Sequence, residues 1–540
     1  MHNGTTKHMN ADKPRILIAD PLDAEGMEIL RAHADLVELP TISQAELIAT
    51  IDQFDGLIVR SRAKATAEVL AAGTCNGRLR VVGRAGVGVD NIDVAAATQA
   101  GVIVVNAPTG NILAAAEHTV AMALSLSRQI PLADKSVRAG EWRRTAFVGV
   151  EINGKRLGLI GLGRIASLVA ERVQAFGMEV VAYDPYVGKD YTNNLGVELV
   201  DLDELLETAD YISVHVPATD QTRNMIGEAQ LRRCKAGVRL INCARGGIIN
   251  EDALLAALEN GHVAGAALDV FAVEPPVGSP LLSHPGVVLT PHIAGSTREA
   301  QRQVAIDVAE QVVAVLNGQM ARYAINTPII PPKDLEALTP YIDLAERLGR
   351  FLTQFEPGIL DRVELTAHGP IAEHDLAYLE AAVLKGLLDG VVAERVNLVN
   401  ARLIARQRGI SLSQRRQQHH NERYENLLTL TVGNHERQRL VRGSVLQYEP
   451  HIVCIDDLWV DFVARGHFLL TWHNDRPGII GAIGTLLGEN DVNVAYMHVG
   501  RRSPRGEAIM VLGLDEPIPA HIFPEILALP HNYWVKAVDL

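Results

Sequence analysis

The chain has 540 residues, 48% apolar and 21% charged, an ordinary globular composition too long for one core, so three or four domains are expected. Its 50 basic against 64 acidic residues leave a net charge of −14, a field that repels a phosphate backbone and argues against nucleic acid as a partner. Cys75, Cys234, Cys243 and Cys454 form no C-x-x-C pair and no apolar run reaches bilayer length, so no metal site, disulfide framework or membrane segment is expected, and a reducing cytoplasm fits.

Residues 1–13 are polar, lack an apolar core and read as a disordered leader rather than a signal peptide. From Pro14 short apolar strands such as "RILIAD", "GLIVR" and "VIVVNAP" alternate with helical stretches, the pattern of a parallel α/β sheet. "NILAAAEHTVAMALSLSRQI" is apolar on nearly every face, as a buried helix must be. A second strand-helix series runs from "KRLGLIGLGRIA" to "GVVLTPHIAG", so two doubly wound lobes with a cleft between them are expected: 14–107 with 293–325, and 108–292. The helix after Ser296 carries Ala305, Val308, Ala309, Val312, Val315 and Leu316 on one stripe, and "INTPIIPPKD" then marks a stiff boundary. A mixed α/β unit follows over 326–465, with "QRRQQHHNER" as a solvated polar run. The last unit, 466–540, reads strand, helix, strand, strand, helix, strand, a ferredoxin-like pattern.

"GLIGLGRIA" holds Gly161, Gly163 and Ala166 between an apolar strand and a helix, and the next strand ends on Asp184, 23 residues after Gly161. Glycines there let the backbone approach a pyrophosphate at a helix N-terminus, and an acid at that distance suits a ribose diol while repelling a 2′-phosphate. The expected cofactor is NAD rather than NADP.

Three strand ends of the same lobe carry side chains suited to chemistry: Arg245 in "NCARGG", Glu274 in "ALDVFAVEPP" and His292 in "TPHIAG". The acids nearest Arg245 in sequence, Glu251 and Asp252, lie six and seven residues on, so the arginine is read as aimed at an anion the protein does not supply. Ligands of open α/β sheets bind outside the carboxyl ends of the strands, where the three would border one crevice. His292 suits proton transfer with a hydroxyl, Glu274 would orient its ring, and Arg245 would grip carboxylate and carbonyl oxygens as a planar fork. His118 and His215 read as structural or cofactor-adjacent.

These motifs, with "VGRAGVGVDNID" and "AAEHTVAMAL", resemble in order and content the D-2-hydroxyacid dehydrogenase family, and within it the branch acting on D-3-phosphoglycerate. The resemblance implies NAD-dependent oxidation of that acid to 3-phosphohydroxypyruvate, the first step of the phosphorylated route to L-serine, with Arg245, Glu274 and His292 catalytic. It implies cofactor contacts at Val87, Arg164, Ile165, Asp184, Val216, Cys243, Ala244, Arg245, Asp269 and His292. It leaves the last backbone contact open between Ala294 and Gly295, because this chain has "HIAGST" where many relatives have "HLGAST". A phosphorylated acid carries more charge than Arg245 alone can hold. Arg60 and Arg84, just past strand ends, are the expected further ligands, with Arg144 from this subunit or a neighbour, while Arg62 and Arg143 read as solvated. Residues 466–540 resemble the ACT domain, an amino-acid-binding regulatory module. That resemblance implies serine as effector, contacts at His473, Asp475 and Asn493, edge-to-edge pairing between subunits and a homotetramer. Residues 326–465 resemble the intervening domain of the long form of these enzymes. The rival readings are a glyoxylate or hydroxypyruvate reductase using the same three residues, and a dinucleotide-sensing protein without catalysis.

Overall fold

The computed structural model describes residues 13–328, 332–358, 360–418, 423–434 and 437–540. The expected leader apart from Lys13, part of the proline-rich boundary, and residues 419–422 of the polar run lie outside the described residues.

Strands β1 (Arg15–Ile18), β2 (Asp35–Glu38), β3 (Gly56–Val59), β4 (Val81–Arg84) and β5 (Ile103–Asn106) form an all-parallel sheet in the order β2-β1-β3-β4-β5. A second all-parallel sheet contains β6 (Arg156–Ile160), β7 (Glu179–Tyr183), β8 (Glu198–Leu199), β9 (Tyr211–Val214), β10 (Val238–Asn242), β11 (Val263–Leu268) and β12 (Val287–Leu289). Its order, β12-β11-β10-β9-β6-β7-β8, reverses direction at β6, which opens a crevice at the carboxyl ends of β6 and β9. Both sheets carry buried apolar clusters on each face, which is why their strands are continuous apolar runs rather than alternating ones.

The helix Arg298–Leu316 returns to the first sheet and buries the expected stripe, with Val308, Ala309, Val312, Val315 and Leu316 in the cluster on that sheet and Ala305 against Gly26 of the helix Ala24–His33. The helix Ile112–Arg128 departs from expectation. Ala114, Ala115, Ala116, Val120, Met122 and Leu126 are buried, but Leu113, Glu117, Ala121 and Arg128 form an exposed stripe. A sequence rich in alanine does not mark its outward face, since alanine suits both sides of a helix.

The third sheet contains β13 (Arg362–His368), β14 (Ser411–Gln417), β15 (Leu427–Gly433), β16 (Gln438–Leu446), β17 (Glu449–Ile455) and β18 (Leu458–Val463), in the order β14-β13-β15-β16-β17-β18. Only β13 and β14 run parallel; the other neighbours are antiparallel. The last unit is the expected strand-helix-strand-strand-helix-strand: β19 (His467–Asn474), β20 (Val494–Arg501), β21 (Glu507–Leu514) and β22 (Asn532–Asp539), all antiparallel in the order β20-β21-β19-β22. Its own helices cover one face through Ile479, Ile483, Leu487, Ile522 and Ile526. The other face, with Phe468, Leu470, Ile509, Val511 and Val538, belongs to the same buried cluster as Phe351, Phe355, Val460 and Phe462 of the preceding unit. Among the described residues, no helix is long and apolar enough to cross a membrane.

Candidate active site

Arg245 sits in the turn after β10, and the turn is shaped by Asn242, 2% exposed at the strand's end. The Asn242 amide donates to the Arg245 carbonyl at 2.8 Å, and its oxygen accepts the Ala244 N–H at 3.0 Å. Glu274, beyond β11, accepts the Phe271 N–H at 3.1 Å through Oε1 and meets His292 Nδ1 at 2.7 Å through Oε2. That bond leaves Nε2 as the ring nitrogen available to a ligand. His292 itself has φ 54°, a left-handed conformation that a side-chain-bearing residue keeps only when its surroundings impose it.

What imposes it is Asp269, 0% exposed at the end of β11. Its Oδ1 accepts Thr290 Oγ1 at 2.6 Å and the Ile293 N–H at 2.8 Å, and its Oδ2 accepts the Ala294 N–H at 2.9 Å. His118 Nε2 lies 3.4 Å from the same carboxylate and 3.1 Å from Thr290 Oγ1, which places that histidine in the support of the loop. Burial alone would raise the Asp269 carboxyl; His118, Thr290 and the two amides together hold it below its ordinary value.

A cleft of about 610 Å³ between the first two sheets is lined by Arg60, Arg84, Asn111, Arg245, Glu274 and His292, among others. Three arginines thus border one space, which they share with the carboxylates of Asp23, Asp90 and Glu274. Arg84 is largely covered; burial and then the charge of Arg245 push it down to about 10, so it stays cationic at neutral pH. Its Nε is buried without a hydrogen-bond partner, as is Asn111 Oδ1. Asn111 caps no helical amide with its side chain and was not legible as a site residue from its local sequence. Asp20, 3% exposed, holds the Arg60 loop: its carboxylate accepts the Arg60 N–H at 2.6 Å and the Ala63 N–H at 3.1 Å.

Two sequence expectations about arginines need correction. Arg62 is not simply solvated: it donates to the Ala19 and Ile42 carbonyls at 2.7 and 3.0 Å and lies 3.4 Å from Asp20. Arg245 does have an acid, Asp90 of the first lobe, 3.3 Å from its Nε. That acid was invisible locally because it arrives from the other side of the cleft. Arg143 lies on the surface beside Glu141, and Arg144 is exposed nearby and is not among the residues lining the cleft.

The cofactor-type residues gather at the carboxyl ends of β6, β7 and β9. Gly161 has φ 90°, and a Cβ there would lie 2.8 Å from the His215 carbonyl oxygen and from Val216 Cγ1. A Cβ on Gly163 would meet nothing within 4 Å, so the space beside it is not needed for protein packing. Gly163 precedes the helix Arg164–Ala175, whose first amides receive no side-chain cap, and Ala166 is fully buried, where only a small side chain fits. Asp184 accepts the Leu162 and Tyr186 N–H groups at 2.8 and 2.9 Å, fixing a carboxylate beside the glycine turn. This open, amide-lined turn with an adjacent acid fits an adenine dinucleotide. Val87 and Gly295 line the cleft itself, and the Val87 carbonyl is held by Asn106 Nδ2 at 2.5 Å. Ile165 is half-buried at the helix start, and Ala244 offers its carbonyl to Arg245 Nη1 at 2.7 Å. Burial pushes the Cys243 thiol up to about 12 and His215 down to about 4, so both are neutral. His215 is bonded to Ser213 Oγ at 2.9 Å and is no proton carrier at neutral pH.

Of the expected effector residues, His473 and Asp475 are neighbours, but Asn493 does not meet them within one chain. His473 pairs with Ala508, whereas Val494, next to Asn493, pairs with Leu514 opposite His467. That register puts Asn493 about 20 Å from His473 along the sheet. His473 is 1% exposed, and the Asp475 carboxylate accepts Arg501 Nη1 at 2.8 Å and the Arg505 N–H at 3.0 Å. Asn493 donates to Asp515 at 2.5 Å.

Comparison with known proteins adds three family matches along the chain. Residues 120–294 match the NAD binding domain of D-isomer specific 2-hydroxyacid dehydrogenases, 337–456 the D-3-phosphoglycerate dehydrogenase intervening domain, and 467–531 the ACT domain. The chain is 42% identical over 519 residues to a D-3-phosphoglycerate dehydrogenase of Archaeoglobus fulgidus, covering 95% of this chain and 98% of that one. It is likewise 42% identical over 527 residues to the enzyme of that name from Bacillus subtilis, covering 97% and 99%. Among solved structures, a glyoxylate reductase from Paecilomyes thermophila matches 58% of this chain and 98% of its own, with a TM-score of 0.53 and 30% identity.

Proposed function

Because the chain belongs to the D-3-phosphoglycerate dehydrogenase family, an NAD-dependent oxidoreductase family, we propose the following division of labour for its oxidation of D-3-phosphoglycerate to 3-phosphohydroxypyruvate. His292 Nε2 accepts the proton of the substrate hydroxyl as the adjacent carbon gives up its hydride. Glu274, holding Nδ1 at 2.7 Å, keeps the ring turned so that Nε2 faces the cleft and stabilises the imidazolium that forms. Arg245 grips the substrate carboxylate, while Arg60 and Arg84 supply cations for the phosphate. Gly161, Gly163, the start of the following helix and Asp184 would hold NAD, which when bound would supply the hydride acceptor. The carrying observation is that Arg60, Arg84, Arg245, Glu274 and His292, from both lobes, line one cleft.

In this reading 14–107 with 293–325 bind substrate, 108–292 bind NAD, 326–465 form the intervening domain and 466–540 the regulatory one. The ACT domain takes serine as effector. Since His473 and Asn493 lie at opposite ends of the sheet, a second copy would complete that site, in keeping with a cytoplasmic homotetramer. Arg144, exposed and outside its own chain's cleft, is read as serving a neighbour's. The test is reduction of NAD by the purified chain with D-3-phosphoglycerate, repeated with serine. Equal activity on unphosphorylated D-glycerate would overturn the substrate, and indifference to serine would overturn the effector.

A further inference from the structure

The contact between Arg245 and Asp90 is a clasp across the cleft. Arg245 stands on the turn after β10 in the second lobe; Asp90 stands on the loop after β4 in the first. A guanidinium has five N–H groups in a plane, and here its Nε side faces an acid as an ion pair. Nε faces Asp90 Oδ2 at 3.3 Å, and Nη1 donates to the Ala244 carbonyl at 2.7 Å. The remaining donors, on the Nη1–Nη2 end, are left for a ligand.

Two further observations make this an arranged contact. A Cβ on Gly88 would lie 2.1 Å from Arg245 Nη2 and 2.7 Å from Asp90 Oδ2, so the pair lies against the bare α-carbon of residue 88. The loop bearing Asp90 is also fixed independently of Arg245: Asn91 Nδ2 donates to the Ala63 carbonyl at 2.7 Å, and Asp93 caps the next helix through the Ala96 N–H at 2.9 Å. Asp90 therefore approaches Arg245 from a held position.

We propose that Asp90 is a positioning residue for the reaction, which acts by turning the free end of the Arg245 guanidinium toward the substrate carboxylate. Its own side chain is 73% exposed, and an ion pair so open to water contributes little to stability. What it fixes is direction. The acid also offsets, for Arg84, the repulsion exerted by Arg245, so the cleft keeps its cations close together before an anion arrives. Because the two partners come from different lobes, the fork is aligned only when the lobes face each other as they do here.

The proposal rests on Arg245 being the carboxylate fork, and the experiment separates the two. Asp90→Asn is made in the full chain and in the Arg245→Lys background, since lysine keeps the charge but has no planar fork to orient. For each protein kcat and KM with D-3-phosphoglycerate, NADH affinity by fluorescence, and Tm are measured. The expected result in the native background is an unchanged Tm, unchanged NADH affinity and a fall of about tenfold in kcat/KM, mostly through KM. In the Arg245→Lys background the same change costs less than about twofold. Equal losses in both backgrounds, no loss in the native one, or a lowered KM would each overturn the role of Asp90 while leaving Arg245 in place. A native kcat/KM for Arg245→Lys alone would remove Arg245 from the reaction and Asp90 with it.

Discussion

Replacing Asp269 by Asn tests how the His292 loop is held. The change keeps shape and burial but converts one acceptor oxygen into an NH2 group. Oriented with its oxygen at Oδ1, the amide keeps the Thr290 hydroxyl at 2.6 Å and the Ile293 N–H at 2.8 Å. Its nitrogen then faces the Ala294 N–H, which sits 2.9 Å from Oδ2 in the native chain. One charge-assisted hydrogen bond is lost in a fully buried place, a cost of about 1.5–3 kcal/mol. If that cost falls on the loop, whose central residue already carries a left-handed backbone, the population with His292 in place drops by roughly tenfold to a hundredfold. Steady-state kinetics should show kcat falling by that factor while NADH affinity, measured by fluorescence quenching, stays within about threefold, since the glycine turn is untouched. Native kcat, or a loss of NADH affinity equal to the loss of kcat, would refute the reasoning; the second result would make Asp269 a direct cofactor ligand. The same carboxylate has an acid signature. Its folded value lies below the unfolded one, so it adds stability above the ordinary carboxylate value of about 4 and loses it as pH falls through the folded value. The Tm difference between native and Asp269→Asn chains should shrink below about pH 4.

Gly161→Ala and Gly163→Ala should separate packing from cofactor binding. The first puts a methyl 2.8 Å from the His215 carbonyl at φ 90°, costing about 1–3 kcal/mol, and lowers both Tm and NADH affinity. The second meets no protein atom within 4 Å, so Tm should hold while NADH affinity falls, by about tenfold or more; retained affinity would clear that space of the pyrophosphate. Arg60→Ala should raise KM for the phosphorylated acid with little change in Tm. Arg62→Ala should do the reverse, losing about 1 kcal/mol with its bonds to Ala19 and Ile42, and a large KM effect there would reassign the phosphate ligand.

The sequence made legible those features that depend on near neighbours. Gly161, Gly163 and Asp184 were readable because a turn, an uncovered helix start and the end of the next strand all lie within one strand-helix-strand unit. Arg245, Glu274 and His292 stood out because each follows a strand, and parallel strands bring their carboxyl ends to one edge. The supports were not readable. Asp20 and Asp90 act on groups supplied by distant segments, and nothing beside them in sequence marks the partner. Strand register hid the separation of His473 from Asn493, because order along the chain does not reveal which residues face each other across the one intervening strand, β21. Asp269 was legible as a site residue, but not that its oxygens serve the backbone of the His292 loop.

The sheet of the last unit spends its second face inside the hydrophobic interior of the unit before it, where Phe468, Leu470 and Val538 share a cluster with Phe351 and Phe355. Gln354, on the long helix Pro332–Phe355, also binds the backbone of Asp539 in the final strand, donating at 2.7 Å and accepting at 2.9 Å. These two units therefore answer a load as one rigid block. Strain introduced at the regulatory strands has no soft joint in which to dissipate before it reaches that helix, and cutting the chain after residue 465 would strip the lid from an oily interior rather than trim an appendage.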